Sequence, residues 1–309
     1  MKKIVPIIAG PTASGKTYLS LCLAEHLDIE VVSADSRQVY RYMDIGTAKV
    51  SQKDRRTIPH HFIDICNPDE YYSAGMFSQE ARKTISNIQA AGKVPVAAGG
   101  SGLYIKALVD GFFEGDLKDA EIRNDLDEEL KKNGLQKLYQ QVLTVDPDYA
   151  EKISRNDRQR ILRCLEVYKI TGIPFSQWIR QESRSADFQP LMIGLQVERD
   201  QLYKRINERV DEMIELGLLD EVRGLQKMGY TAELNALNTV GYKEVFSYFA
   251  DKLSFDEMTE LIKRNTRRYA KRQMTWFRKE PGIKWYDCAG KKDLKELSRK
   301  ISDEYKILS

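Results

Sequence analysis

Residues 10–17, GPTASGKT, limit what the chain can fold into more than any other stretch. Gly, four residues, Gly, Lys, Thr is the spelling of a phosphate-binding loop. Such a loop works only in context. A buried strand must deliver the turn and a helix must leave it, so that successive main-chain N–H groups and a helix N-terminus converge on phosphate oxygens. Both flanks are present: IVPIIA at 4–9 is an apolar run, and TYLSLCLAEHL continues from Thr17 with helical spacing. The start MKKIVPIIAG has the basic-then-apolar look of a secretory leader. Its apolar run feeds straight into the loop, however, so it is read as a buried strand.

The same alternation continues. IEVVSADSRQVY begins as a β-branched run and ends at Ser33-Ala34-Asp35. After HHFIDI, Ser73 is placed to cap a helix with Phe77, Ala81, Ile85 and Ile88 on one face, stopped by Gly92. KVPVAAGGSGLY then supplies another strand, a glycine turn and a new helix start. Alternating strands and helices predict an α/β fold, a P-loop-type parallel sheet flanked by helices. From about residue 113 the chain turns polar and helical, with Gly134, Asp146-Pro147 and Gly172 as punctuation; the next strand candidate is PLMIGLQVE at 190–198. The predicted organisation is a core over 1–112, a helical insertion domain over 113–188, and a return to the core over 189–309. A long helix follows Asp200, with Leu202, Ile206, Val210, Met213 and Ile214 on one face, and the last third reads as helical.

Composition excludes several classes. In 309 residues, 42% hydrophobic and 31% charged, no run of eighteen apolar residues occurs. The cysteines, Cys22, Cys66, Cys164 and Cys288, are far apart and the three histidines all precede residue 62, which leaves no zinc set and no disulfide framework. A reducing, cytoplasmic setting is expected. Net charge is only +3, so attraction to a polyanion depends on where the charge lies.

Within the loop Gly10, Pro11, Thr12, Ala13, Ser14, Gly15, Lys16 and Thr17 form the expected phosphate cradle, with Lys16 as a point charge and the Thr17 hydroxyl as a Mg²⁺ ligand. The later strand VPVAAGG ends in glycines, without the metal-binding acid of an ordinary nucleotide hydrolase. The acid at an early strand tip is Asp35, which at a carboxyl end would face the phosphate crevice. The residues alone do not rank it above Asp44 or Asp64. Finally, KRNTRRYAKRQMTWFRK at 263–279 carries eight Lys/Arg and no acid, and Arg264, Arg267, Arg268, Lys271 and Thr275 share one helical stripe. A one-signed stripe fits a nucleic-acid backbone. A second basic cluster, Arg155, Arg158, Arg160 and Arg163, lies in the insertion, with Ile161, Leu162 and Leu165 on its buried side.

Taken together, GPTASGKT, SADSRQVYRYMDIGTAK, HHFIDI, AAGGSGLYIKAL, RNDRQRILRCLEVY, RINERVDEMIELGLLDEV, NTVGYKEV and TRRYAKRQMTWFRK closely resemble the bacterial tRNA dimethylallyltransferases, the IPP transferase family. The resemblance runs nearly end to end. It implies transfer of a dimethylallyl group from dimethylallyl diphosphate to N6 of the adenosine 3′ of the anticodon, in tRNAs reading codons that begin with U. It gives the loop to the prenyl diphosphate, with Mg²⁺; Arg209, in RINERV, to the same diphosphate; and Asp35 to the role of general base. It assigns Asp35, Ser36, Arg37, Gln38 and Ser101 to the target base. To tRNA it assigns Arg123, Gln159, Arg160, Ile161, Leu162, Arg163, Asn238, Thr239, Val240, Gly241, Tyr242 and Lys243. The C-terminal run Lys271, Arg272, Gln273, Met274, Thr275, Trp276, Phe277 and Arg278 joins them.

The chain departs from the family pattern with Ser101 where many relatives have Thr, and with Asn238-Thr239 where relatives can carry an arginine. It also ends without the zinc finger of eukaryotic members, which points to the bacterial branch. Because tRNA would occupy so much surface, a monomer is expected. The alternatives are a prenyltransferase for free AMP or ADP, a P-loop small-molecule kinase, and a non-catalytic RNA-binding protein.

Overall fold

The structure is a computed structural model that describes residues 2–111, 117, 119–182 and 185–309. Its first strand, β1 (Ile4–Ala9), is buried at every position, the mark of a strand covered on both faces. It pairs in parallel with β4 (Val94–Gly99) on one side and β5 (Gln189–Gln196) on the other. Beyond β4 lie β2 (Ile29–Ser33) and β3 (His60–His61); beyond β5 lies β6 (Lys284–Asp287). The resulting order is β3-β2-β4-β1-β5-β6, parallel throughout. The P-loop-type α/β sheet expected from the sequence is present.

Helices α1 (Lys16–Leu23), α2 (Gln52–Thr57), α3 (Ala74–Ala90) and α4 (Gly102–Asp110) alternate with the first four strands. The Ser73 hydroxyl accepts the Met76 amide at 3.1 Å and so caps α3, whose Phe77, Ala81, Ile85 and Ile88 are buried as their spacing predicts. On one sheet face α1 packs with α13 (Lys291–Leu308): Leu19, Leu23, Leu294, Leu297 and Ile301 join Ile8, Val31, Val96 and Ile193 in one core. Each such fully buried side chain contributes about 1.5–3 kcal/mol.

The chain divides into two compact units, Met1–Val109 with Ala186–Ser309, and Asp110–Ser185. The divide falls a few residues before the 112/113 and 188/189 boundaries of the sequence reading. Residues 186–188 join the sheet unit because the Ala186 amide donates to Val109 O at 2.9 Å and the chain then enters β5. The second unit holds α5 (Ala120–Val145), α6 (Pro147–Ala150), α7 (Arg158–Thr171) and α8 (Phe175–Glu182). Gly134, at φ 77°, breaks α5, while Asp146 caps α6 and Pro147 opens it. The core of this unit includes Leu126, Leu138, Val142, Ile161, Leu162, Leu165 and Trp178.

The remaining helices of the sheet unit are α9 (Arg199–Glu215), α10 (Leu218–Lys227), α11 (Tyr242–Phe249) and α12 (Phe255–Phe277). On α9, Leu202, Ile206 and Val210 are buried, whereas Met213 and Ile214 are only half-buried. The last third is not wholly helical as the sequence suggested, because β6 extends the sheet. Four residues paired on one side only are too short to show a strand period. No helix among the described residues is long and apolar enough to cross a membrane.

Candidate active site

Three strand tips meet at the carboxyl edge of the sheet. The phosphate loop follows β1, Asp35 follows β2, and Gly100-Ser101 follows β4, which lies between them. The tips touch through main chain: the Ala34 amide donates to Ala98 O at 2.8 Å and the Ser101 amide to Ala34 O at 3.2 Å. A Cβ on Gly99 would stand 2.0 Å from Ala34 O, so only glycine permits this approach. The Ser101 hydroxyl in turn accepts the Ser36 amide at 3.0 Å. The Asp35 carboxylate accepts the Arg37 and Gln38 amides on Oδ1, at 2.9 and 3.4 Å, a local turn that orients it. Its Oδ2 accepts no hydrogen bond among the described residues.

These tips open into one cavity of about 710 Å³ within the sheet unit. Thr12, Ala13, Gly15, Lys16 and Thr17 line it from the loop; Asp35, Ser36, Arg37 and Gln38 from β2; Arg209 from α9; Arg272 and Gln273 from α12. Asn238, Thr239, Val240, Gly241 and Lys243 close another side. Gly15 has φ 96° and Ala13 φ 63°, the left-handed turns that give the loop its concave run of amides.

Lys16 Nζ donates to Gly10 O at 3.0 Å and Pro11 O at 2.7 Å. Burial pulls its pKa down from 10.5 to about 8; Asp35 opposes the shift and Arg209 adds to it. Arg209 reaches the Thr12 hydroxyl at 3.2 Å, and burial lowers its pKa as well. The cavity thus sets a cationic, amide-rich loop against the Asp35 carboxylate at the tip of β2, with Glu208 and Glu212 of α9 also in its lining.

Asp35 stands apart from the other acids that the sequence left open. Asp64 is bound by Lys49 and Arg55, which hold its pKa down although burial works to raise it. Asp44 is paired with Lys49 at 2.7 Å.

Other expected residues fall elsewhere. Ser14 is fully buried within the loop, and Tyr242 is fully buried against Gly46, where a Cβ would come within 2.4 Å of its ring. Gln273 is buried too, and its amide is spent on the protein: Oε1 accepts the Thr12 amide at 2.9 Å and Nε2 donates to Gly100 O at 2.8 Å. Lys271 and Thr275 are exposed on α12, as is Arg278 just past its end, and Met274 is half-buried, while Trp276 packs on Gly102 and Phe277 is core.

In the helical unit Ile161 and Leu162 are fully buried and Gln159 is exposed. Much of the basic cluster there is paired with acids: Arg158 meets Asp127 at 2.8 Å, Arg163 meets Glu166 at 2.9 Å and Arg160 meets Asp157 at 3.4 Å, while Arg155 is exposed; the nearby Arg123 shares Glu166 at 3.6 Å. A reading of basic spacing alone could not see those acids. Tyr269, one of the aromatics interleaved with the basic stripe, lines the cavity on the inward face of α12 with Ile262, Thr266 and Gln273, at i, i+4, i+7 and i+11. The sequence reading followed the outward stripe of that helix.

No group of three or more His, Cys, Asp or Glu among the described residues is arranged to hold a metal. An exposed Thr17 in the same cavity as the Asp35 carboxylate is a donor set that suits Mg²⁺, which keeps several waters and takes its other ligands from phosphate.

A glycine-rich loop after the first strand of a parallel sheet, sharing a cavity with an acid at another strand tip, defines an α/β protein of the P-loop type. Within that class the chain belongs to the IPP transferase family, whose pattern matches residues 38–280. It is 46% identical over 306 residues to the tRNA dimethylallyltransferase of Carboxydothermus hydrogenoformans, covering 98% of both chains. Among solved structures it resembles the tRNA isopentenylpyrophosphate transferase of Bacillus halodurans, with 39% identity, a TM-score of 0.72 and 100% and 99% coverage. It also resembles a eukaryotic dimethylallyltransferase acting on tRNA, with 31% identity and a TM-score of 0.83, over 97% of this chain and 78% of that one.

Proposed function

We propose that the protein transfers the dimethylallyl group of dimethylallyl diphosphate to N6 of the adenosine 3′ of the anticodon, in tRNAs reading codons that begin with U. The observation that carries this reading is the single cavity shared by the phosphate cradle and Asp35. In the reaction the allylic C–O bond breaks and its electron pair leaves with diphosphate. The N6 lone pair forms the new C–N bond, and the N6 proton passes to a base. The cradle amides, Lys16 and Arg209 would meet the charge that grows on the leaving oxygens. Mg²⁺, bound through Thr17, would add further neutralisation of the diphosphate. Asp35 Oδ2 would accept the N6 hydrogen bond, orient the amine and take its proton. An adenine in a stacked loop cannot reach such a cavity, so the base would be extruded into it. Ser36, Arg37, Gln38 and Ser101 would hold that base. The exposed basic face of α12, with Lys271 and Arg278, would track the RNA backbone, and an RNA substrate of this kind sets the reaction in the cytoplasm.

Labelled dimethylallyl diphosphate with Mg²⁺ is supplied in parallel with unmodified tRNA, AMP or no acceptor. Label in tRNA alone is expected. Label in AMP alone, or ATP consumption without prenyl transfer, would replace this reading by a free-nucleotide prenyltransferase or a kinase.

A further inference from the structure

The loop 44–48 is an unusual wall for a binding cavity. Gly46, Thr47 and Ala48 line the cavity, yet Tyr42, two residues before the loop, and Ala48, its last residue, stand at φ 65° and 49°, a region disfavoured for side chains. Something must hold this loop. One end is fastened by Lys49, whose Nζ donates to Tyr40 O at 2.6 Å and to Asp44 Oδ1 at 2.7 Å. The middle is held from α10. The Glu221 carboxylate accepts three successive amides, Asp44 and Ile45 on Oε2 at 2.8 and 2.7 Å and Gly46 on Oε1 at 3.1 Å. Its Oε1 also accepts the Tyr242 hydroxyl at 2.6 Å.

Tyr242 begins α11 immediately after the turn 238–241, an adjoining wall of the cavity, and its ring lies where a Cβ on Gly46 would be. One carboxylate therefore ties two cavity-lining segments together. Hydrogen bonds to an ionised acceptor are the strong ones, and Glu221 makes four.

The effect reaches the acceptor side. Thr47 O and Ala48 O accept Gln38 Nε2 at 3.2 and 3.3 Å, and the Gln38 amide donates to Asp35. Glu221 makes no hydrogen bond to the phosphate loop, Arg209 or Gln273 among the described residues. We infer that Glu221 is a positioning residue for the acceptor adenine: it fixes the loop that orients Gln38 beside Asp35, and leaves the diphosphate side alone. The inference deepens the proposed function and rests on it.

The test compares wild type, Glu221→Gln and Tyr242→Phe. In the Gln variant an amide NH₂ faces the loop amides where an acceptor is needed; in the Phe variant only the fourth bond is lost. For Glu221→Gln the expected result is a loss of about tenfold or more in kcat/KM for tRNA. Binding of dimethylallyl diphosphate, measured without tRNA, should stay within about twofold of wild type. Tyr242→Phe should show the same split, smaller. A purely structural role would weaken both substrates together or neither. Equal losses on the two substrates, or an unchanged kcat/KM for tRNA, would overturn the inference. If Glu221→Gln does not fold, the Tyr242→Phe split decides. Wild type that prenylates no tRNA would instead remove the proposed function, and the inference with it.

Discussion

Asp35 and Lys16 face each other across a cavity, and each has a measurable consequence. Replacing Asp35 by Ala removes the group proposed to take the N6 proton while leaving the cationic side intact. Transfer should fall by about 10²–10⁴-fold, the usual contribution of a general base. tRNA affinity, measured by filter binding, should largely persist; near-normal turnover would end the base assignment.

Lys16 offers a pH test. Its pKa is lowered by burial to about 8, so the free protein loses this charge well before an ordinary lysine would. An anionic ligand prefers the charged form. Affinity for the prenyl diphosphate should therefore be full below about pH 8 and decline as pH rises through it. Lys16→Met should bind more weakly at low pH and lose that inflection; calorimetric titration across pH 6.5–9.5 (roughly one and a half units on either side) checks both. Asp35 was visible in the sequence only as one acid among several. What separates it is that Lys49 and Arg55 occupy Asp64 and Lys49 occupies Asp44, pairings that depend on a loop conformation no local pattern encodes.

At the scale of elements, α12 serves two purposes on two faces. Its outward stripe was legible because one-signed charge at helical spacing is unusual in a chain of balanced charge. Lys271 is exposed, so Lys271→Ala should weaken tRNA binding and reduce the slope of log affinity against log salt by about one ion. An unchanged slope would take this face out of the interface.

The inward face was not legible, because Gln273 looks like any polar residue in a basic run. Its partners, Thr12 and Gly100, lie far away in sequence, in the loops that follow β1 and β4. Gln273→Ala would leave a backbone donor and a buried carbonyl unpaired, at about 1–3 kcal/mol each. Thermal denaturation should show the loss, and diphosphate binding should weaken with it. Stability and diphosphate affinity both unaltered would show that the bridge is dispensable. The strands and α3 were legible for the ordinary reason that their apolar periods match their burial. β3 and β6 were not, since edge strands of two and four residues have almost no period.

For the molecule as a whole, the helical unit changes how the basic residues count. Its arginines read as an RNA surface in sequence, yet Asp127, Asp157 and Glu166 already engage Arg123, Arg158, Arg160 and Arg163. Pairs of this kind must be partly given up before a phosphate can be bound. Arg160→Ala should therefore lower the salt slope less than Lys271→Ala does, a comparison made in one titration series.

Gly99 carries a further consequence. Because the chain after β2 meets β4 there backbone against backbone, the position of Asp35 relative to the sheet is set by main chain, and in the proposed reaction the reach from leaving group to incoming amine would be hard to tune by trading one side chain for another. Room for a bulkier alkyl donor would then come from helical lining such as Met213 and Ile262, which can exchange volume without shifting a strand. Donor preference in such a scaffold would drift through its helices while the sheet keeps the reach constant.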